Sequence, residues 1–329
     1  MCNRLDTPNN PLPHDNYLTE ALEIAHQLQE REPRFTLELN QQLVQGKPNR
    51  VLRARYDEQP IILKYYGDHW NVPGPERKNS ELFYLEHCAS TGVVPHIVRG
   101  DLERLLLMEE IPGITLKVFY EQHSGHKDWA LLVQKLSFEI GQAYARLAAL
   151  PLTDELRCAF EKQFGSGQNL ETTVENLLSQ AERLCDTVET CFKVERDTIS
   201  FIRSKLPLIL RQPRLLHKYD LNQTNTIIYR GHFQAFIDFE QCYICTEFML
   251  LGGVLDAVDF LDWSALKLGY EAAAGKRLST SDLEVIVAMA HYKNWLRVIG
   301  NWENGLFHAK RVEKLKARFH RAGSYLERV

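Results

Sequence analysis

Long hydrophobic runs are missing from this 329-residue chain. The longest, Phe248 to Leu255, has two glycines inside it and falls well short of the ~18–20 apolar residues needed to span a bilayer. The polar beginning, with Asn3, Arg4, Asp6, Asn9 and Asn10, has no signal-peptide core. A basic excess is missing too. The formal net charge is −4, which argues against a nucleic-acid surface. The basic stretch from Lys310 to Arg321 reads as the wet face of a terminal helix. No disulfide framework is visible, because Cys2, Cys88, Cys158, Cys185, Cys191, Cys242 and Cys245 are odd in number and scattered. Cys242-x-x-Cys245 lacks the second pair that a structural zinc site wants, and it lacks a thioredoxin-like setting. Both cysteines read as ordinary thiols. Internal repeats and low-complexity segments are also missing. Together these absences predict a cytoplasmic protein with neither a membrane nor a nucleic-acid partner.

What is present is ordinary globular composition. With 44% hydrophobic and 25% charged residues, the chain can bury a core and is neither fibrous nor disordered. Its length suits two lobes better than one core.

The patterning changes along the chain. A helical repeat of Leu18, Ala21, Leu22, Ile24, Ala25 and Leu28 predicts a helix over 16–31. Alternating segments at 35–39, 50–56 and 60–66 predict strands of an antiparallel sheet. A helix is predicted over 76–91, stopped by Gly92. Strands are predicted at 93–98 and 105–108, before the turn Ile111-Pro112-Gly113. Helices are then predicted at 128–149, 155–186, 193–206, 246–260, 263–274, 281–299 and 304–326, with a capping box Ser281-x-x-Glu284. A β-like island from Leu215 to Asp238 interrupts them. The expected organisation is an α+β N-terminal lobe over 1–110, antiparallel sheet plus helix. A larger, mainly helical lobe over 111–329 is joined to it through Glu109 to Gly113.

The β-like island carries the chemistry. It reads His217-Lys218-Tyr219-Asp220, with Asn225 five residues beyond Asp220, then two short apolar strands, then Asp238-Phe239-Glu240. Phosphoryl transfer needs a carboxylate to orient and deprotonate an acceptor hydroxyl. It also needs oxygen ligands for the Mg²⁺ that bridges the phosphates. An Asp and an Asn on one loop can divide those roles, and a hairpin can return a second Asp to the metal.

This arrangement resembles the aminoglycoside phosphotransferase and choline kinase family, which has a two-lobed, protein-kinase-like fold. The family's loop reads His-x-Asp-x4-Asn, followed by a hairpin and Asp-aromatic-(Glu/Gly). The resemblance implies Asp220 as catalytic base, and Asn225 and Asp238 as Mg²⁺ ligands. One position departs from the pattern: Lys218 stands where the family has His, and His217 lies one residue earlier. In the N-terminal lobe, Gln45 to Val51 resembles the nucleotide-covering loop, with Asn49 and Arg50 at its end, and Ile61 to Lys64 resembles the phosphate-lysine strand. Glu81 shares a helical face with Leu85 and Cys88 and is the expected partner of Lys64, with Glu76 and Glu86 as competitors. Leu105 to Gly113 resembles the hinge, where backbone groups at Glu109 to Ile111 would bind adenine. The implied nucleotide is ATP or GTP.

Glu240, Glu247 and Asp256 follow the second metal ligand, with Asp259 and Asp262 beyond. The first three would suit an amino-bearing or otherwise cationic hydroxyl acceptor; Asp259 and Asp262 read equally as a wet helix face. Trp295, Trp302 and His291 share helical spacing and form either core or an aromatic face for a quaternary ammonium. A monomer or homodimer is expected. The alternative is a kinase-fold binding protein without catalysis, but Lys64, Asp220, Asn225 and Asp238 are all retained. A protein kinase fits poorly, since neither Asp-Phe-Gly nor Ala-Pro-Glu occurs.

Overall fold

Period-two alternation sets the first part of the chain. A computed structural model describes residues 16–42, 49–68, 72–164, 170–187, 192, 195–218, 222–240, 242–257 and 260–326. Helix α1 (Asn16–Arg31) precedes strands β1 (Phe35–Gln42), β2 (Arg50–Tyr56) and β3 (Gln59–Tyr65). Helix α2 (Gly74–Cys88) and a short 3-10 turn (Ala89–Thr91) follow, then β4 (Ile97–Arg99) and β5 (Leu105–Glu109). The five strands form one antiparallel sheet in the order β1-β2-β3-β5-β4.

One face of this sheet packs on α1. Leu52 and Ala54 of β2, Ile61, Leu63 and Tyr65 of β3, and Leu105 and Leu107 of β5 join Ala21, Ala25 and Leu28 in a single buried cluster. Successive strand side chains point to opposite faces. Lys64, lying between Leu63 and Tyr65, therefore faces away from α1, as do Arg53 and Leu106. The N-terminus of α2 is held by Asp68, whose Oδ1 accepts from Gly74 N at 2.7 Å and from Arg104 Nη1 at 3.0 Å. The Gly74 N–H is the main reason that the Asp68 carboxyl sits below the usual carboxylate range.

The chain divides into two compact units. One comprises Met1–Glu86 and Pro95–Glu110, the other His87–Val94 and Ile111–Val329. His87–Val94 counts with the second unit through backbone contact: Phe236 N donates to Val93 O at 2.8 Å.

The second unit is mainly helical. Strand β6 (Ile114–Thr115) leads into α3 (Leu116–His123), capped by Thr115. Then come α4 (Trp129–Ala148), α5 (Asp154–Phe164), α6 (Leu170–Thr187) and α7 (Asp197–Arg211). Strands β7 (Arg214–Lys218), β8 (Thr226–Tyr229), β9 (His232–Phe236) and β10 (Cys242–Thr246) follow, and α8 (Glu247–Ala257), α9 (Trp263–Ala274), α10 (Thr280–Glu303) and α11 (Ala309–Ser324) close the chain. Helix α10 is buried nearly all round, through Leu283 to Trp295, as expected of a helix at the centre of a bundle. Helix α4 crosses α9 with almost no gap: a Cβ on Gly141 would lie 2.0 Å from Leu266 O.

Several sequence expectations change here. The single helix expected over 155–186 is two helices, α5 and α6. Between them lies Gly165-Ser166-Gly167-Gln168-Asn169, outside the described residues. Each glycine in a helix interior costs about 1 kcal/mol, which such a predicted helix cannot ignore. The capping box of α10 is Ser279 with Asp282, not Ser281 with Glu284: Ser279 N donates to Asp282 Oδ2 at 2.8 Å, and Asp282 N donates to Ser279 Oγ at 3.2 Å. Helix α3 and strand β10 were not anticipated, and β4 is shorter than the strand expected over 93–98.

Candidate active site

The Asn225–Asp238 pair is built by a hairpin. Strands β8 and β9 are antiparallel, with Thr226 opposite Phe236 and a tight turn at Arg230-Gly231. Asn225 precedes β8 and Asp238 follows β9, so the hairpin returns one beside the other. Ile237 N donates to Asn225 O at 2.9 Å, which fixes the two ends together. Asn225 is buried, and Asp238 is half-buried. Asp238 has φ +68°, a left-handed backbone that non-glycine residues adopt mainly where the surroundings over-determine it.

The loop before Asn225 is organised by Asn222. Its Oδ1 accepts from Thr224 N at 2.7 Å, and its carbonyl accepts from Asn225 N and from Thr226 Oγ1, both at 3.0 Å. This is the local turn chemistry that Asn favours. The loop is tied to the start of α3 by Lys117 N, which donates to Gln223 O at 2.9 Å. Strand β6 pairs with β8 through Ile114 opposite Ile228. That contact needs Gly113. Its φ is +135°, and a Cβ there would stand 2.4 Å from Ile228 O.

Asp220, the expected catalytic base, lies outside the described residues, as does the loop at 43–48. His217 lies on β7 opposite Tyr243 of β10, its ring buried and 6.1 Å from the Tyr243 ring. Lys218 ends that strand opposite Cys242.

In the first unit the structure brings Lys64 and Glu81 together. Lys64 Nζ donates to Glu81 Oε2 at 2.6 Å, with Lys64 4% exposed and Glu81 0%. Glu76 and Glu86 are exposed. The pairing follows from geometry: Lys64 points to the face away from α1, and α2 presents Glu81 there. Asn49 is buried at the start of β2, and its carbonyl accepts from Arg50 Nη1 at 3.1 Å.

At the end of β5, Glu109 N donates to His96 O at 2.9 Å, and Glu110 N donates to Pro60 O at 3.3 Å. The Glu110 side chain pairs with Arg53, Nε to Oε1 at 2.7 Å. The backbone N–H groups of Glu109 and Glu110 are thus already used.

Glu247 opens α8 and is buried. Its carboxylate accepts from the Tyr270 hydroxyl and from Lys276 Nζ, the latter at 2.8 Å to Oε2. Burial, reinforced by the Glu247 bond, pushes the Tyr270 hydroxyl up. Glu240 is half-buried. Asp256 lies on α8, its side chain outside the described residues. Asp262 caps α9, accepting from Ala265 N at 3.0 Å, and Asp259 lies outside the described residues. Trp295 and Trp302 do not share a role. Trp295 is fully buried and donates to Thr198 Oγ1 at 2.9 Å, whereas Trp302 is exposed. Sequence reasoning missed Tyr66, whose hydroxyl donates to Glu81 Oε2 at 2.7 Å. Period-two spacing from Lys64 was the available signal.

No protein-family model matches the sequence. No curated protein matches it either. Solved structures do match in fold. Aminoglycoside phosphotransferase APH(2'')-Ib, solved with ADP bound, shares 14% identity at TM-score 0.57, over 92% of this chain and 97% of that one. A choline/ethanolamine kinase family protein from Mesorhizobium loti shares 13% identity at TM-score 0.59, over 88% and 89%. Plasmodium vivax ethanolamine kinase shares 13% identity at TM-score 0.61, over 94% and 88%. The chain therefore has an α+β, protein-kinase-like fold, the fold of aminoglycoside phosphotransferases and choline and ethanolamine kinases.

Proposed function

We propose that this protein is a small-molecule kinase, moving the γ-phosphate of ATP or GTP onto a hydroxyl of an amino-bearing or sugar-like acceptor. The observation that carries the reading is the buried Lys64–Glu81 pair, in a fold shared with small-molecule kinases. A lysine kept out of water needs a strong reason, and aligning it on a phosphate supplies one.

In this reading Lys64, oriented by Glu81, holds nucleotide phosphate. Asn49 and Arg50 belong to the phosphate-covering end of the β1–β2 connection. The adenine contacts are the Glu109 carbonyl and the Ile111 N–H. The last choice is favoured because Glu109 N and Glu110 N are spent within the protein.

Asn225 and Asp238 fit Mg²⁺. Both offer oxygen, they are adjacent, and two protein ligands suffice for an ion that keeps waters and phosphate oxygens around it. These two side chains would hold the ion, whose charge would offset that of the phosphates. Asp220 orients the acceptor hydroxyl and takes its proton. Glu240, Glu247 and Asp256 are the carboxylates proposed for the acceptor side. At Glu247 an acceptor amine must compete with the Lys276 ammonium.

The test is nucleotide consumption with aminoglycosides, choline-like amines, amino alcohols and sugars. Phosphorylated product from one class, absent with Asp220→Asn, supports the proposal. A parent protein that binds Mg-ATP but turns over no acceptor favours the non-catalytic binding protein.

A further inference from the structure

We infer that Tyr66 is a positioning residue that holds the Lys64–Glu81 pair in register, so that the carboxylate stays in place when the ammonium engages a nucleotide phosphate. The inference rests on the kinase reading above for its purpose, though not for its geometry.

Lys64 and Tyr66 are two residues apart and reach the same face of the sheet. Both donate to one atom, Glu81 Oε2, at 2.6 Å from Lys64 Nζ and 2.7 Å from the Tyr66 hydroxyl. The Lys64 ammonium also lies 5.0 Å from the centroid of the Tyr66 ring, within cation–π range. Tyr66 thus touches both members of the pair, one with its hydroxyl and the other with its ring.

The tyrosine is itself held. Its backbone N donates to Arg104 O at 3.0 Å, its carbonyl accepts from Arg104 Nη1 at 3.3 Å, and Tyr66, Lys64 and Glu81 are all at least 96% buried. A buried hydroxyl needs a partner. Here the partner is the oxygen that the lysine also uses, and that choice separates a positioning role from simple satisfaction. With two donors on Oε2, the carboxylate does not depend on the lysine for its orientation. The lysine can turn a second N–H toward a phosphate without releasing its anchor.

The test uses the full chain as parent, Tyr66→Phe, Glu81→Gln and the double variant. Phe keeps the ring and its volume and removes only the hydroxyl. The first readout is the acetylation rate of Lys64 by acetic anhydride in nucleotide-free protein, measured by mass spectrometry. The expected result is Lys64 labelled faster in Tyr66→Phe by roughly three- to tenfold, the worth of one hydrogen bond. The double variant should label no faster than Glu81→Gln, because the hydroxyl acts through that carboxylate. A Tyr66→Phe rate equal to the parent, or effects that multiply in the double variant, overturns the inference. If Glu81→Gln fails to fold, the parent and Tyr66→Phe rates decide alone.

The second readout is Mg-ADP affinity, expected to weaken by a similar factor in Tyr66→Phe. Faster labelling in Tyr66→Phe beside a parent that binds no nucleotide sustains the positioning role and removes the kinase reading. Unchanged labelling beside a parent that binds nucleotide does the reverse.

Discussion

Lys64 Nζ and Glu81 Oε2 meet at 2.6 Å inside a unit where neither side chain is more than 6% exposed. Two charges so buried recover their desolvation only through each other and their remaining hydrogen bonds. Removing one should therefore cost more than removing both. Lys64→Met is expected to destabilise by about 3–5 kcal/mol, and Lys64→Met with Glu81→Leu by clearly less. Urea unfolding midpoints of the two proteins check this. Equal losses would mean that the pair is better solvated than its burial indicates.

Asp238 is expected to trade stability for chemistry. Its φ of +68° is one that glycine adopts without strain. Asp238→Gly should leave stability within about 1 kcal/mol of the parent, while turnover falls by more than roughly 10²-fold if the carboxylate serves phosphoryl transfer. Thermal unfolding and nucleotide consumption on the same preparation separate the two effects. A stable Asp238→Gly protein with parental turnover would remove Asp238 from the reaction.

Gly113 should tolerate no side chain. Alanine there meets Ile228 O at 2.4 Å in a backbone at φ +135°. Gly113→Ala is expected to cost roughly 2–4 kcal/mol, read as a lower urea midpoint. A loss below about 0.5 kcal/mol, the size of an ordinary surface change, would show that β6 can shift off β8 freely.

His291 predicts an acid-side loss of stability. Burial pushes its pKa down to about 4, against the ordinary value near 6.5. Between those values the unfolded chain binds a proton that the folded chain refuses, so stability falls as pH drops from about 6.5 to 4. The full loss from this one group is on the order of 3 kcal/mol. Urea midpoints for the parent and His291→Gln between pH 7 and pH 5 check it. The parent should lose stability more steeply. Parallel profiles would place the titration elsewhere.

The first sheet and the hairpin were readable because their residues alternate with period two and little else competes. Asn225 and Asp238 were readable from the motif that brackets the hairpin and Lys64 from the resemblance of its strand to the phosphate-lysine strand, whereas Glu81 was readable from the helical face it shares with Leu85 and Cys88. The α5–α6 break was missed because helical periodicity ran on through the glycines between 165 and 169. Strand β10 was missed because Cys242 to Thr246 is too short to separate from the helix after it, and its partner β7 is distant in sequence. The engagement of Glu247 by Tyr270 and Lys276 was not readable at all. It joins α8 to residues 23 and 29 positions away, and no local pattern encodes that meeting. Tyr66 was passed over although its period-two spacing puts it on the Lys64 face; its meeting with Glu81 depends on where α2 packs.

Nucleotide consumption by the parent and Asp220→Asn, across the four acceptor classes with Mg²⁺ present, tests the central claim most directly. The account predicts that one class is phosphorylated by the parent and that Asp220→Asn loses roughly 10²–10⁴-fold in turnover, the range for removing a general base, while still binding Mg-ATP. Equal turnover by the two proteins on a true acceptor, or a parent that binds no Mg-ATP, would contradict it.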